Sequence, residues 1–371
     1  MVLILALGGL VAYLVIDLRQ LQKARSSIDI LIHVNGIRGK TTVVRMLDGI
    51  FRQAGYKTFS KVTGTLPEVC GVDGQRRPIV RRRGARIGEP AKIIRQAASE
   101  GAQVLILECM AVKPLYQGKS AQMIQADYVL INNVRLDHGE DMGLSRQAIA
   151  ESLAEVIVKP LSGFGKPIHP TILVGDTPHR KVFMQKANDL ALDWRLVESE
   201  PLVPEAVSHE HPDNVAMAMA LADHLGIDRD LALTGLSKRV GNPRQTDVVA
   251  FGGGHCAFGM TINDLDSTES FYRKHVGGQS NETTTLLFND RADRPVRSGL
   301  FLHWMVTKPV GRIYLAGDRT RWNRRRLRKL GYRGEITLVQ TVEDIDFKGT
   351  QVIAVGNVQG FGHVLWEALH A

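Results

Sequence analysis

The stretch Asn35-Gly36-Ile37-Arg38-Gly39-Lys40-Thr41-Thr42 constrains the fold more than any other part of this chain. It follows a mostly apolar run, Ile28 to Val34, broken only by Asp29 and His33. It precedes Thr41 to Ala54, where Val43, Leu47, Ile50, Phe51 and Ala54 recur at helical spacing before Gly55. The run reads as a strand buried on both faces, and the stretch after it as an amphipathic helix stopped by glycine. Strand, glycine turn and helix start in that order make a phosphate cradle. Glycines let the backbone bend tightly, so that its N–H groups face phosphate oxygens, and the opening helix adds its positive dipole end. Lys40 would neutralise the β- and γ-phosphates of ATP, and the Thr41 hydroxyl would ligate Mg²⁺. Only two residues separate Gly36 from Gly39-Lys40, where the common phosphate-loop pattern has four.

The rest of the 371-residue chain alternates strands and helices. Candidate strands follow at Val104 to Leu107, Tyr128 to Asn132, Thr171 to Val174 and Trp194 to Val197, with helical stretches at Ala91 to Glu100 and Ala148 to Val158. A second series has strands at Thr283 to Phe288, Arg312 to Leu315, Glu335 to Val339 and Val352 to Val355. Such alternation predicts an α/β fold, a mostly parallel sheet with helices on both faces, joined to a smaller C-terminal α/β domain. The helix-breaking stretch Gly241 to Asp247 reads as the linker. The expected division is a membrane anchor at 1–18, a nucleotide-binding central domain at 19–240 and a smaller C-terminal domain at 241–371.

The anchor is read from Met1 to Ile16, which holds no charged side chain. At ~1.5 Å per residue it spans roughly 24 Å, slightly short of a ~30 Å hydrocarbon core, and Asp17 and Leu18 extend it. Arg19, Lys23 and Arg25 follow. That asymmetry predicts a single N-terminal transmembrane helix with the catalytic domains in the cytoplasm. No small-residue cleavage site follows, which argues against a removed signal peptide.

The net charge of +9 is local. Arg76, Arg77, Arg81, Arg82, Arg83 and Arg86 fall in one acid-free stretch; Arg319 to Lys329 holds six more arginines and a lysine, also without an acid. Without these 13 residues, 34 basic side chains face 38 acidic ones, a net −4. Two basic clusters invite a polyanion, a phosphate or an anionic surface. Nucleic acid is disfavoured, because no recognised module is present and an aromatic content of 6% leaves few stacking platforms. Cys70, Cys109 and Cys256 are too widely spaced for a zinc pattern or a disulfide framework, and Cys109 reads as a small buried residue.

Asn35 to Thr42 resembles the nucleotide loop of the Mur ligase superfamily. The apolar amino terminus, Val62-Thr63-Gly64-Thr65, Ile87-Gly88-Glu89 and Glu108-Cys109-Met110-Ala111-Val112 resemble one branch, the poly-γ-glutamate synthase ligase subunits of CapB/PgsB type. The resemblance implies an ATP-dependent, ADP-forming amide ligase. A carboxylate attacks the γ-phosphate of ATP, and an amine then displaces phosphate from the acyl phosphate. Glu108, ending an apolar strand, would bind Mg²⁺. His138 of the Asp137-His138 pair would hold a second ion. Asn214 would meet the adenine ring, Arg244 the nucleotide, and Asp264 of Asn263-Asp264 the ribose. Arg291-Ala292-Asp293-Arg294 and Gly356-Asn357 also resemble the branch, without an assigned role. The implied partners are glutamate with the growing poly-γ-glutamate chain, small membrane subunits of a synthase complex and the membrane, with a homo-oligomer allowed.

One departure stands out. Many Mur ligases carry a carbamylated lysine on the helix after Asp-His, and here that helix has none before Lys159. Glu151 or Glu155 would supply a carboxylate instead. The alternative function is a membrane-bound ATPase acting as an export motor or switch. It would hydrolyse ATP without an acceptor amine and a donor carboxylate, whereas a ligase needs both.

Overall fold

The computed structural model describes residues 2–64, 67–81, 86–163, 168–175, 178–198, 211–238, 247–262, 264–276 and 283–370. The chain divides into two compact units, Met1–Val134 with Asp141–Val240, and Arg135–Glu140 with Gly241–Ala371.

The strands of the first unit are β1 Ile30–Asn35, β2 Thr58–Val62, β3 Glu68–Cys70, β4 Arg76–Pro78, β5 Val104–Glu108, β6 Tyr128–Ile131, β7 Thr171–Val174 and β8 Asp193–Leu196. They form one sheet in the order β4-β3-β2-β5-β1-β6-β7-β8. β3 pairs antiparallel with both β2 and β4, and every other pairing is parallel. The helices of this part of the chain are α1 Val2–Ser26, α2 Lys40–Gln53, α3 Glu89–Ser99, α4 Pro114–Ile124, α5 Gly139–Met142, α6 Arg146–Ala154, α7 Arg180–Asp189, α8 Pro212–His224 and α9 Arg229–Lys238.

Alternation along the strands gives the sheet two apolar faces. Ile32, Val34, Val104, Ile106, Leu130 and Leu173 pack with α2, α8 and α9. Their neighbours Leu31, His33, Leu105, Leu107 and Val129 are buried too, as is the inner side of α3, α4 and α6. β1 lies between β5 and β6, in register Ile32 with Ile106 and Ile32 with Tyr128. The chain leaves β1 toward one side and later returns to the other, so the carboxyl ends of β1, β5 and β6 meet at a switch point. Ligands bind there in open α/β sheets.

In the second unit β9 Asp247–Phe251, β10 Gly254–Phe258, β11 Thr283–Asp290, β12 Arg312–Gly317, β13 Glu335–Leu338 and β14 Thr350–Gly356 run in the order β13-β12-β11-β14-β10-β9. Only the β9–β10 hairpin is antiparallel. α10 Leu265–His275, α11 Pro295–Met305 and α12 Thr320–Lys329 cover one face, and α13 Phe361–Leu369 packs on the other. The α/β class expected from the alternation is therefore observed in both units.

The structure departs from the expected elements in several places: β3, β4, β9 and β10 were not anticipated, and the helix expected over Ala148 to Val158 ends at Ala154. β2 was not anticipated, because Ser60 and Lys61 interrupt its apolar pattern, yet all five of its residues are buried. The N-terminal helix does not end near Leu18. It continues to Ser26, with Leu21 and Arg25 buried against the first unit. Arg25 donates to Gln125 O at 2.9 Å and pairs with Asp127 at 2.8 Å, and Arg95 of α3 pairs with Asp17 at 2.7 Å. Ile4–Ser26 is long and apolar enough to cross a membrane and is almost wholly unburied over its most apolar window.

Candidate active site

The loop between β1 and α2 is held by the strands on either side. Gly36 has φ 120°, and a Cβ there would lie 3.0 Å from the backbone nitrogens of Asn132 and Asn133. Gly39, the left-handed N-cap of α2 at φ 78°, leaves still less room, with Asn214 Oδ1 only 2.0 Å from an added Cβ. Only glycine fits both places. Asn133 braces the loop from outside: its Oδ1 accepts from Arg38 N–H at 2.9 Å, its carbonyl accepts from Ile37 N–H, and its Nδ2 donates to Arg38 O. Asn132 Nδ2 donates to Arg38 O and to Asn214 Oδ1, both at 2.7 Å. Asn132 Oδ1 is buried without a partner. Behind the loop, Asn35 donates to the buried Gln117 at 2.7 Å.

Lys40 and Thr41 open α2. Lys40 Nζ reaches back to Gly36 O at 2.6 Å and Ile37 O at 3.3 Å, so the ammonium lies over the loop it belongs to. The Thr41 hydroxyl donates to Glu108 Oε2 at 3.0 Å, and Thr63 N–H donates to the same oxygen at 2.7 Å. Thus Lys40, Thr41 and Glu108, three expected site residues, are grouped at the carboxyl end of the sheet. Thr42 follows on the first turn of α2.

This donor set fits a magnesium nucleotide. Mg²⁺ takes one or two protein oxygens and fills its remaining positions with phosphate and water, so a hydroxyl and a carboxylate are enough. Among the described residues no group of three or more acidic, His or Cys side chains could hold a metal without help from a substrate.

Further charges lie close by. Lys61 of β2 is almost fully buried and pairs with Glu89 at 2.9 Å, which Arg81 grips bidentately. Burial pulls the Lys61 ammonium below the ordinary lysine range against the pull of Glu89 and Glu108. Cys109 is buried and burial raises its thiol, as expected of a packing residue.

The other expected residues have different surroundings. Asn214, on the first turn of α8, lies against Gly39 and accepts from Asn132, so its carbonyl is spent on bracing the loop. Asp137 and His138 belong to the second unit. Arg297 holds Asp137 at 2.8 and 3.1 Å, and Arg294 Nη1 stands 3.1 Å from His138 Nδ1. His138 Nε2 is 3.6 Å from Asp137. A guanidinium can only donate, so Nδ1 accepts and the ring proton sits on Nε2. Metal binding through Nε2 therefore requires the proton to move and Arg294 to withdraw. Asp264 caps α10, accepting from Ser267 N–H at 2.9 Å, and stands 3.8 Å from Arg135. Arg244 and Asn263 lie outside the described residues, as do Thr65, Arg82 and Arg83.

Glu151 and Glu155, the carboxylates expected in place of the missing lysine, have partners of their own. Glu151 is exposed and accepts from Gln147 one turn away, while Glu155 pairs with Lys186 of α7 at 3.1 Å. Glu155 follows the last turn of α6 and is half-buried beside Gly118 of α4.

Sequence reading did not single out Asn132, Asn133 or Arg297, and assigned no role to Thr63 within Val62 to Thr65. Only Asn132-Asn133, two amides directly after an apolar strand, carried a usable local signal.

A parallel sheet with this phosphate loop, joined to a second α/β unit, defines the Mur ligase type of ATP-dependent amide ligase. The Mur ligase middle domain matches residues 34–194, and the poly-gamma-glutamate synthase CapB C-terminal domain matches residues 248–371. The PGA synthase CapB of Bacillus subtilis is 28% identical over 99% of this chain and 97% of its own length. The capsule biosynthesis protein CapB of Bacillus anthracis is 33% identical over 79% of this chain, which spans 64% of that relative. Among solved structures, the bifunctional folylpolyglutamate synthase/dihydrofolate synthase of Yersinia pestis, complexed with AMPPNP and a manganese ion, superposes with a TM-score of 0.67. It covers 96% of this chain and 93% of that one at 16% identity, a likeness of fold. The chain thus carries a Mur ligase middle domain and a CapB-type C-terminal domain, and is similar to poly-γ-glutamate synthase CapB along nearly its whole length.

Proposed function

We propose that this chain lengthens a poly-γ-glutamate chain at the expense of ATP. The observation that carries the reading is the Thr41–Glu108 pair, 3.0 Å apart beside Gly39-Lys40, a donor set suited to a metal-bound triphosphate. Glutamate and the polymer come from the names of the relatives.

The chemistry asks the protein mainly for cations and geometry, because two anions must approach before one attacks the other. Loop N–H groups and the α2 dipole hold the phosphates, and Lys40 swings from Gly36 O onto the β- and γ-oxygens. Thr41 and Glu108 would hold Mg²⁺, which would draw charge from the γ-phosphate. The donor carboxylate takes the γ-phosphoryl group and ADP departs. The amine of the incoming amino acid then attacks the acyl carbon, and phosphate leaves with the carbon–oxygen bond. His138, with Arg294 beside its ring, and Asp137, held by Arg297, belong to the second unit. The apolar, exposed part of α1 before Asp17 anchors the enzyme in the cell membrane with both units in the cytoplasm, where small membrane subunits join it.

The test is incubation of membranes containing the full chain with ATP, Mg²⁺ and each labelled amino acid. Label should enter a polymer with glutamate, and phosphate release should require both a carboxylate donor and an amine. Equal phosphate release without either substrate would refute the ligase and leave an ATPase.

A further inference from the structure

The two arginine-rich stretches have opposite fates in the fold. In the first, Arg76 pairs with Glu68, Arg77 with Glu100 and Arg81 with Glu89, so three of its charges are neutralised by acids of the same unit. In the second, Arg319 turns inward. It grips Asp290 at 3.0 and 3.1 Å and donates to Ser298, fixing the start of α12 beside α11. The buried Asn323 and Leu327 hold the inner face of α12. Arg321, Arg324, Arg325, Arg328 and Lys329 are all exposed. Arg328 donates to the carbonyls of Tyr332 and Gly334, and among the described residues no carboxylate pairs with any of the five.

Their spacing puts them on adjoining turns of one face, in a line roughly 12 Å long at ~1.5 Å per residue. Helix stability does not explain this. Cations in the last turn favour the dipole, which accounts for Arg328 and Lys329, but Arg321, Arg324 and Arg325 stand nearer the positive end. Like charges three and four residues apart also repel. A helix carrying this repulsion on its surface is suited to an anion that relieves it.

We propose that the exposed face of α12 binds the growing carboxylate polymer and keeps it on the enzyme between additions, an inference that rests on the proposed function. A line of cations matches a linear polyanion. A bilayer is a poorer match, because the one large apolar side chain exposed on this helix, Trp322, has the Arg319 guanidinium over its ring at 5.7 Å and little left to insert.

The test compares the full chain with the variant Arg321→Gln/Arg324→Gln/Arg325→Gln/Lys329→Gln and with the corresponding arginine-to-lysine variant at the first three positions. Fluorescence anisotropy with labelled γ-glutamate polymer should show affinity falling about tenfold or more in the neutral variant and salt sensitivity falling with it. The lysine variant should keep both. With glutamate and a short acceptor, the neutral variant should form ADP at the unchanged rate and make shorter polymer. Equal polymer affinity in the parent and the neutral variant overturns the proposal, as does loss of binding to phosphatidylglycerol vesicles with polymer binding intact. Failure of the chain to incorporate any amino acid would sink the ligase reading instead, and the anisotropy measurement would still decide whether α12 takes a polyanion.

Discussion

Replacing His33 by leucine tests how β1 supports the phosphate loop. His33 is two residues before Asn35, fully buried between Leu107 of β5 and Val129 of β6, and neither ring nitrogen has a hydrogen-bond partner. Burial, aided by the nearby Lys61 charge, lowers its pKa from 6.5 to about 4. Between those values the unfolded chain binds a proton that the folded one refuses. The folded state therefore keeps its full stability above pH 6.5 and loses it as pH falls toward 4. At about 1.4 kcal/mol per pH unit, the loss between pH 7.5 and pH 5 from this group is about 2 kcal/mol. His33→Leu removes the titration and retains an apolar side chain of similar size. Urea unfolding of the full chain in detergent, followed by tryptophan fluorescence, should show the parent losing about 2 kcal/mol more than the variant over that interval. At pH 7.5 the variant should be at least as stable, since it no longer buries two unpaired nitrogens. Equal loss in both proteins would mean that His33 finds a partner or solvent, and the argument from burial would fail.

Glu108→Gln keeps one acceptor for Thr41 and Thr63 but removes the charge, so turnover should fall about 100-fold and the Mg²⁺ requirement should rise, read from phosphate release across a magnesium titration. Gly39→Ala should abolish nucleotide binding in calorimetry, because its Cβ would collide with Asn214 and its backbone would be strained. Arg25→Met removes the cation paired with Asp127, leaving that carboxylate its Leu31 N–H bond, and should cost about 3 kcal/mol, seen as easier proteolysis between α1 and β1.

Much of the first unit was legible because its signals are local. The apolar run, the glycine spacing and the helical periodicity all lie within the 27 residues from Ile28 to Ala54. What could not be read depends on partners far along the chain. Lys61 looked incompatible with a buried strand because its partner Glu89 lies outside the segment. Arg25 read as a positive charge beside the membrane, yet Gln125 and Asp127 bury it. Asn214 was assigned to adenine from a resemblance, and nothing in its own neighbourhood of sequence reveals that Asn132 and Gly39 come to meet it. The arginine clusters gave the sharpest ambiguity. With six and seven basic residues and both free of acids in sequence, they are distinguished by whether glutamates from other strands and helices reach them.

The same dependence on distant partners bears on how an anchored ligase would hold its site. Asp127 accepts from the Arg25 guanidinium at 2.8 Å and from Leu31 N–H at 2.7 Å, so one carboxylate joins the last turn of α1 to the second residue of β1. α1 runs without interruption from Val2 to Ser26, and β1 begins four residues after its end. A flexible linker would leave the phosphate loop free to wander over many ångströms. Here the helix that carries the apolar surface is docked, and β1 then covers roughly 20 Å at ~3.3 Å per residue before the loop begins. On the proposed anchoring, nucleotide chemistry takes place at a fixed distance from the end of the membrane helix, a distance set by a strand length and one buried ion pair. An enzyme that repeatedly returns the same polymer end to one acyl phosphate gains from that fixity, because each addition begins from the geometry in which the last one ended.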